Sequence, residues 1–190
     1  MSEAVSAVQG ASASGFVDVA EAGLVGMVTI RGDLGDSDFA HAVGSVTHCG
    51  LPKKRGIAAG ENDQLLWMSP DELLLVCAHE EAEARVQALS AALSGQHRLV
   101  VNVSDARAVF RVTGIGSAVR EALAKVTPAD MRPRVLPVGE VRRTRMAQVP
   151  AAIWFDSEDQ ATIVCFRSVG TYIFDLLVQS SKPGSEVGHF

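Results

Sequence analysis

The chain repeats one order of secondary structure in its two halves: a strand, a helix, a hairpin and a second helix. Apolar residues alternate at strand spacing in one segment and recur at helical spacing in the next. This change of period marks the boundaries between the predicted strands and helices. Ser69-Pro70-Asp71-Glu72 divides two apolar runs, and proline presets the backbone angle that a tight turn needs. The first half therefore predicts a strand over 24–31, a helix through Phe39, Val43 and Val46, a hairpin of 64–68 with 73–77, and a helix over 80–93.

The second half follows the same order without an obvious repeat of the sequence itself. Val169, Tyr172, Ile173, Leu176 and Leu177 form the strongest amphipathic pattern of the chain and predict the last helix. The other predictions are strands over 98–104, 107–113, 140–147, 149–156 and 161–167 and a helix through Val119, Leu123 and Val126. A repeated order of this kind predicts an α+β fold of two interleaved split βαβ (ferredoxin-like) units, with helices packed against mixed sheet.

Length and composition predict a single domain with a terminal segment on either side. The 190 residues are 47% hydrophobic, which is enough to bury one sizeable core. Residues 1–15 are rich in Ala, Ser and Gly and lack an amphipathic period, so we expect a disordered N-terminal arm. Pro183 and Gly184 interrupt regular structure, so residues 182–190 are predicted to be a flexible tail. The domain itself is predicted over residues 16–181.

The charge and the cysteines limit the partners and the compartment. A net charge of -5 offers no clustered positive surface of the kind that nucleic acids and anionic membranes require. Cys49, Cys77 and Cys165 are too few and too scattered for a disulfide framework. The first residues lack the features of a signal peptide, and no window approaches about eighteen uninterrupted apolar residues. These features predict a cytoplasmic protein that contacts neither nucleic acid nor membrane.

No motif of the chain predicts a catalytic, cofactor-binding or metal site. Gly114-Ile115-Gly116-Ser117 lies between a predicted strand and a predicted helix, but Val119 occupies the place of the third glycine of a dinucleotide fingerprint. The histidines fall at no spacing typical of metal ligands. Ser104 and Ser168 lie outside any nucleophile elbow, and they are better explained as a turn residue and a helix cap.

Arginines in apolar strands are the strongest candidates for polar residues with a role. Arg107, Arg111 and Arg167 each occupy a strand context in which a guanidinium is seldom left unpaired. Each is predicted to contact either an internal carboxylate, such as Asp105 or Asp130, or a partner protein. We favour the internal role for Arg167 and the partner-facing role for Arg107.

A second group of candidates comprises an arginine cluster and the tryptophans. Arg143 and Arg145 share one face of a predicted strand, and Arg142 takes the other. A solvated edge strand is the first interpretation of this cluster, and a protein interface is the second. Trp67 and Trp154 are the only tryptophans, and each is interpreted as a core residue ahead of an interface anchor.

Four separated segments complete a pattern that no single motif carries. They are Trp67-Met68-Ser69-Pro70-Asp71-Glu72; Asn102-Val103-Ser104-Asp105-Ala106-Arg107 running through Phe110-Arg111-Val112-Thr113-Gly114; Leu136-Pro137-Val138-Gly139 with Arg143-Thr144-Arg145-Met146-Ala147-Gln148-Val149-Pro150; and Phe166-Arg167-Ser168 before Tyr172. In their order and spacing, over residues 23–180, the chain resembles the gamma subunit of heterotetrameric sarcosine oxidase. That subunit is similar to the folate-binding part of the glycine-cleavage T protein, so the resemblance implies the same α+β architecture.

The resemblance also implies a role and a set of partners. In heterotetrameric sarcosine oxidase, FAD, FMN, NAD and zinc belong to the alpha, beta and delta subunits. The complex oxidatively demethylates sarcosine to glycine, with tetrahydrofolate as the acceptor of the one-carbon unit. The gamma subunit has the folate-protein fold and no recognised redox centre. The resemblance therefore implies a noncatalytic, structural or assembly subunit, with no cofactor of its own and with the cofactors on its partner subunits.

One residue departs from the related folate-binding proteins. Asn102 stands where they carry an acidic residue, in the pattern Asp-x-Ser before Gly, and the change removes a carboxylate that could hold a pterin ring. Two alternatives to a complex subunit stay open from the sequence. One is a stand-alone folate-binding or one-carbon transfer protein related to the T protein, and the other is a small interaction module unrelated to one-carbon metabolism.

Overall fold

The computed structural model describes residues 4–190, which form two compact units. The inserted unit is Leu24–Ser104, and the split unit joins the described residues up to Gly23 with Asp105–Phe190. The strands are β1 Ser12–Ala13, β2 Asp18–Glu21, β3 Gly26–Arg31, β4 Ile57–Ala59, β5 Gln64–Ser69, β6 Glu72–Cys77, β7 Leu99–Asn102, β8 Arg107–Thr113, β9 Val141–Met146, β10 Val149–Ser157 and β11 Gln160–Phe166. The helices are α1 Ser37–Thr47, α2 Ala82–Ala92, α3 Ala118–Ala124 and α4 Gly170–Ser180.

The inserted unit has the strand order of a ferredoxin-like split βαβ motif. Its sheet runs β4-β5-β6-β3-β7, and every pair of neighbours is antiparallel. Strand and helix periods direct the apolar residues of β3, β6, α1 and α2 into one cluster. The buried members of this cluster are Val28, Ile30, Phe39, Ala42, Val43, Cys49, Leu65, Leu73, Leu75, Cys77, Ala82, Leu89 and Leu93.

Capping interactions mark both ends of α1. The Asp36 carboxylate accepts the N–H of Asp38 at 2.8 Å and satisfies a donor that the first helical turn leaves free. His48 follows the helix in the left-handed region, with a φ of 53°, and its N–H donates to the Gly44 carbonyl at 2.9 Å. The helix between these caps buries Phe39 and Val43.

The split unit repeats the same strand order with one strand taken from the start of the chain. Its sheet runs β1-β2-β8-β11-β10-β9 and is also antiparallel throughout. β2 lies beside β8 as β7 lies beside β3 in the other unit, so the segment before the inserted unit completes this sheet. One sheet face packs against α3 and α4, and Phe110, Ile163, Ile173 and Leu177 are at most 1% exposed in this core.

The predicted α+β class with two ferredoxin-like units is confirmed. β8 has its predicted bounds, and the other predicted strands and helices lie within a few residues of theirs. The sheets differ from the expectation of mixed sheet, because every strand pair in residues 4–190 is antiparallel. Strands β1, β2 and β4 were not predicted, since runs of two to four residues are too short to show a period.

The prediction of a disordered arm over residues 1–15 is wrong for residues 4–15, and residues 1–3 lie outside the described part. β1 pairs with β2, which places the arm at the edge of the sheet. The carboxylate of Glu21 accepts hydrogen bonds from the Ser6 hydroxyl at 2.6 Å and from the N–H groups of Val8 and Gly10 at 2.9 and 2.7 Å. These bonds order a segment that has few apolar groups to bury.

The other predicted boundaries also change. The Glu121 carboxylate accepts the N–H groups of Val187 and Gly188, and the Lys125 ammonium donates to the Ser185 carbonyl at 2.6 Å. Residues 182–190 thus make defined contacts where a flexible tail was expected. Two compact units replace the single domain expected over 16–181. Among the helices of residues 4–190, none has the length and apolar content that crossing a membrane requires.

Candidate functional site

Three of the predicted site residues lie on one face of the split unit's sheet, the face away from its helical core. Arg107 begins β8, while Arg143 and Arg145 lie in β9. The strand register pairs Arg107 with Phe166 of β11 and Arg145 with Pro150 of β10, and alternation turns these side chains to the same side. β8 and β9 are three strand spacings apart, or about 14 Å. We call the surface of Arg107, Arg143, Arg145 and Phe166 the arginine face.

The arginine face combines exposed positive charge with an exposed aromatic ring. Arg143 and Arg145 are exposed, and Phe166 is 48% exposed. The guanidinium carbon of Arg107 lies 4.4 Å from the centroid of the Phe166 ring, a cation–π contact that contributes about 0.5–1 kcal/mol at an exposed site. Arginine and aromatic residues are enriched at protein interfaces. The chemistry of this face therefore suits recognition of a protein surface that carries carboxylates.

Arg142 takes the opposite side of β9, as the strand period predicts. Its guanidinium donates to the Val135 carbonyl at 2.7 Å and so ties β9 to the loop that precedes it. β9 is one of the two edge strands of its sheet, the position that the first interpretation of the arginine cluster requires. Arg111 lies exposed on β8. The second interpretation, in which Arg143 and Arg145 contact a partner, stays a prediction.

Arg167 has an internal contact, but its acceptors differ from the expected carboxylate. It follows β11 and donates to the carbonyl oxygens of Val5 at 2.7 Å and Ser6 at 3.4 Å. Asp130, one of the carboxylates expected to pair with these arginines, binds Arg132 instead, and hydrogen bonds from Arg132 lower the pKa of Asp130 to about 2. Arg167 thus holds the N-terminal segment against the end of β11.

The two tryptophans differ in burial. Trp154 is 2% exposed, and its indole N–H donates to the Asp156 carboxylate at 3.0 Å, so it is a core residue with a satisfied polar group. Trp67 lies in β5 opposite Leu73 and is only partly buried. Its assignment as a core residue or an interface anchor stays a prediction.

Arg120 has the largest fully buried side chain in residues 4–190, and it was not among the site residues predicted from the sequence. It lies in α3, is 1% exposed, and donates to the carbonyl oxygens of Met131 and Leu136 at 2.8 and 2.9 Å. Its guanidinium also pairs with Glu158 at 2.9 Å and lies 3.9 Å from the centroid of the Phe155 ring. A charged residue among apolar neighbours in an amphipathic helix was the available signal. Arg120 thus ties α3 to the segment that precedes β9.

The thiols of the chain are poorly suited to nucleophilic chemistry. Cys49, Cys77 and Cys165 are free and buried. Burial raises the pKa of all three thiols, to about 11 for both Cys77 and Cys165. Because the thiolate is the reactive form, a raised pKa leaves little nucleophile at neutral pH. Within residues 4–190, no three side chains of His, Cys, Asp or Glu form a group that could hold a metal ion.

Comparison with known proteins identifies relatives over most of the chain. The model of the sarcosine oxidase, gamma subunit family matches residues 31–183. A sarcosine oxidase subunit gamma from Arthrobacter sp. is 32% identical over 154 residues, which cover 79% of this chain and 72% of that protein. A sarcosine oxidase subunit gamma from Corynebacterium sp. (strain P-1) is 34% identical over 143 residues, which cover 74% of this chain and 66% of that protein.

Solved structures show the same fold. The heterotetrameric sarcosine oxidase from Corynebacterium sp. U-96, in complex with pyrrole 2-carboxylate, matches with a TM-score of 0.79 and 25% identity over 90% of this chain and 87% of the matched chain. Glycine cleavage system aminomethyltransferase T from Bartonella henselae shares the fold, with a TM-score of 0.62 and 16% identity over 86% of this chain and 45% of that one. The family match and the curated relatives together show that the chain belongs to the sarcosine oxidase, gamma subunit family.

Proposed function

We propose that this chain is a noncatalytic subunit of a heterotetrameric sarcosine oxidase and that it supports assembly of the complex. The observation that carries the proposal is the family match over residues 31–183. It is supported by relatives that bear the name sarcosine oxidase subunit gamma and by the similarity to a chain of the heterotetrameric enzyme. The proposed partners are the alpha, beta and delta subunits of the complex.

In this proposal the redox chemistry belongs to the partner subunits. FAD, FMN, NAD and zinc are assigned to them, and tetrahydrofolate accepts the one-carbon unit there. Hydrogen bonds between polar groups of the chain itself support a structural role. Arg120 and Arg167 bind carbonyl oxygens of this chain, and the buried Cys77 and Cys165 thiols have a pKa of about 11.

The arginine face is proposed as part of the surface that docks the partners. Its exposed arginines and the Phe166 ring complement a partner surface with carboxylates, and charge complementarity accelerates association and excludes wrong partners. Arg145→Glu reverses one charge of the face at an exposed position. Arg134→Glu is the matched control, because Arg134 is an exposed arginine outside the face.

Co-expression tests both parts of the proposal. The tagged chain should retain its three partners through gel filtration, and the eluted assembly should oxidise sarcosine. The chain alone should be colourless and inactive toward sarcosine, because the redox groups are assigned to its partners. A flavin absorbance band that survives desalting of the lone chain would contradict the noncatalytic role. Arg145→Glu should reduce the amount of captured partner at an unchanged melting temperature, while Arg134→Glu should not.

A stand-alone folate-binding protein is the alternative that the shared fold keeps open. The side chain of Asn102 argues against it, because its amide oxygen accepts the N–H and the hydroxyl of Ser104 at 3.0 and 2.6 Å and so closes a turn. Titration with tetrahydrofolate, followed by tryptophan fluorescence, separates the two functions. Saturable binding to the lone chain below about 1 mM would favour the folate-binding protein. Family membership argues against an unrelated interaction module.

A further inference from the structure

The edge strand β7 of the inserted unit exposes apolar side chains. β7 is the last strand in the sheet order and pairs with β3 alone. Its sequence is Leu-Val-Val-Asn, in which Leu99 is 49% exposed and Val101 is 39% exposed. These two side chains lie on one side of the strand because they are two residues apart. Val100 points the other way and packs against the core of the unit.

The outer edge of β7 also carries unpaired backbone groups. Val103 donates its N–H to the Met27 carbonyl at 2.8 Å, and the register pairs Val101 with Thr29. In an antiparallel ladder alternate residues direct their N–H and C=O groups to the same neighbour. Leu99, Val101 and Val103 therefore bond β3, and the N–H and C=O groups of Val100 and Asn102 face away from the sheet.

The other edges of the two described sheets are protected in ways that β7 lacks. β1 has two residues and β4 has three, and such short strands offer little to a pairing chain. β9 is longer, but it carries the exposed charges of Arg143 and Arg145. β7 has four residues, none of them charged, and two of its three exposed side chains, Leu99 and Val101, are apolar. An edge of this kind is a template for an added strand.

The size of the edge indicates which kind of molecule covers it. An interface of about 1,600 Å² uses roughly 20–30 residues on each side, or about 30–40 Å² per residue. Two copies of β7 paired through four residues each would therefore bury roughly 300 Å², far below the roughly 1,200 Å² of a stable dimer. A second copy of this chain lacks the contact area at this edge. A partner subunit of the proposed assembly does not need this edge to supply its whole interface, because further contacts elsewhere hold it.

We infer that β7 is a strand-addition site for an extended segment of a partner subunit, with apolar side chains at alternate positions. The backbone of that segment pairs with Val100 and Asn102, and its apolar side chains cover Leu99 and Val101. This inference rests on the proposed function, since it takes the occupant from another subunit of the same assembly. It adds the mode of docking, which is backbone pairing at the sheet edge.

Val100→Pro tests the backbone part of the site. Proline removes the outward N–H of Val100, a position that tolerates proline because this N–H bonds nothing within the sheet. We expect about a tenfold or greater loss of partner capture on co-expression. The melting temperature of the lone chain should fall by at most about 4 °C. Val101→Pro is the matched control, because it removes an N–H that bonds β3 and should destabilise the inserted unit itself.

The double variant Leu99→Thr with Val101→Thr tests whether the exposed apolar side chains of β7 contribute to the site. It remains a test of the strand-addition site if Val100→Pro fails to fold. Threonine keeps the preference for strand and removes apolar surface from two exposed positions. Capture should fall as for Val100→Pro, while Val138→Thr, at a position that is 41% exposed in the split unit, should leave capture unchanged. Thermal unfolding of each lone variant shows that the fold is intact.

The outcomes separate this site from the proposed function. Normal capture of the partners by folded Val100→Pro and by the double threonine variant would overturn the site and leave the subunit role standing. A wild-type chain that captures no partner would contradict the subunit role and remove the occupant with it. A discrete homodimer of the lone chain that Val100→Pro abolishes would overturn the assignment to a partner subunit.

Discussion

Replacing Glu21 with glutamine should destabilise the split unit, because this carboxylate fastens the N-terminal segment. Glu21 is 9% exposed and accepts the Ser6 hydroxyl and the N–H groups of Val8 and Gly10 at 2.6–2.9 Å. A hydrogen bond to a charged group contributes about 1.5–3 kcal/mol. Glutamine keeps one acceptor oxygen and turns an NH2 group toward at least one of these donors. We therefore expect the free energy of unfolding to fall by about 2–3 kcal/mol at pH 7.

The loss of stability in Glu21→Gln should depend on pH in a defined direction. Burial alone raises the pKa of Glu21, but the hydrogen bonds from Ser6, Val8 and Gly10 outweigh it, and the pKa lies below its ordinary value of 4.5. A carboxylate with a lowered folded pKa stabilises the fold above the unfolded pKa, and this contribution is lost as the pH falls through the folded pKa. Glutamine does not titrate. The difference between wild type and Glu21→Gln should be full at pH 7 and shrink below pH 4.5.

Urea unfolding followed by circular dichroism at a series of pH values measures this difference. At pH 7 the melting temperature of Glu21→Gln should also fall by about 5–10 °C. Asp18→Asn is the matched control, because Asp18 is an exposed acid in the same strand and its loss should change stability little. A Glu21→Gln variant within about 0.5 kcal/mol of wild type, or a penalty that is equal at every pH, would refute this account of the N-terminal segment.

Two buried side chains give further predictions. Arg120→Met should lower the free energy of unfolding in urea by about 2–4 kcal/mol, because the carbonyl groups of Met131 and Leu136 lose their donor; a loss below about 1 kcal/mol would contradict this role. In the folded chain at pH 7, Cys165 should react slowly with an aromatic disulfide reagent, because burial raises its pKa to about 11, and all three cysteines should react in urea. Rapid reaction of Cys165 in the folded chain would show that this thiol is accessible.

The fold class could be predicted from the sequence because most elements are long enough to show their period. β8 places Ala108, Phe110 and Val112 at alternate positions in the helical core, and the apolar residues of α4 recur at helical spacing along its buried face. The partner of each strand could not be predicted in the same way. β2 and β8 pair although the inserted unit separates them in the sequence. The period of two in each strand does not indicate which strand lies beside it. The sequence also contains no local signal of the bonds that Glu21 makes to the N-terminal segment.

The candidate site shows the same division between local and long-range information. Arg143 and Arg145 share a face because they are two residues apart in a strand, and this could be predicted. Arg107 joins them only through the strand order β8-β11-β10-β9, which depends on pairing between distant segments. The acceptors of Arg167 are backbone carbonyl groups. Every residue has such a group, so the sequence could not single them out.

The most direct test of the subunit role is native mass spectrometry of the assembly that is isolated from the source organism through a tag on this chain. The proposed function predicts one mass, equal to the sum of this 20.0 kDa chain and three different subunits. Sarcosine-dependent oxygen consumption should elute at the same position. A tagged chain that elutes alone, or with partners that do not oxidise sarcosine, would contradict the central claim.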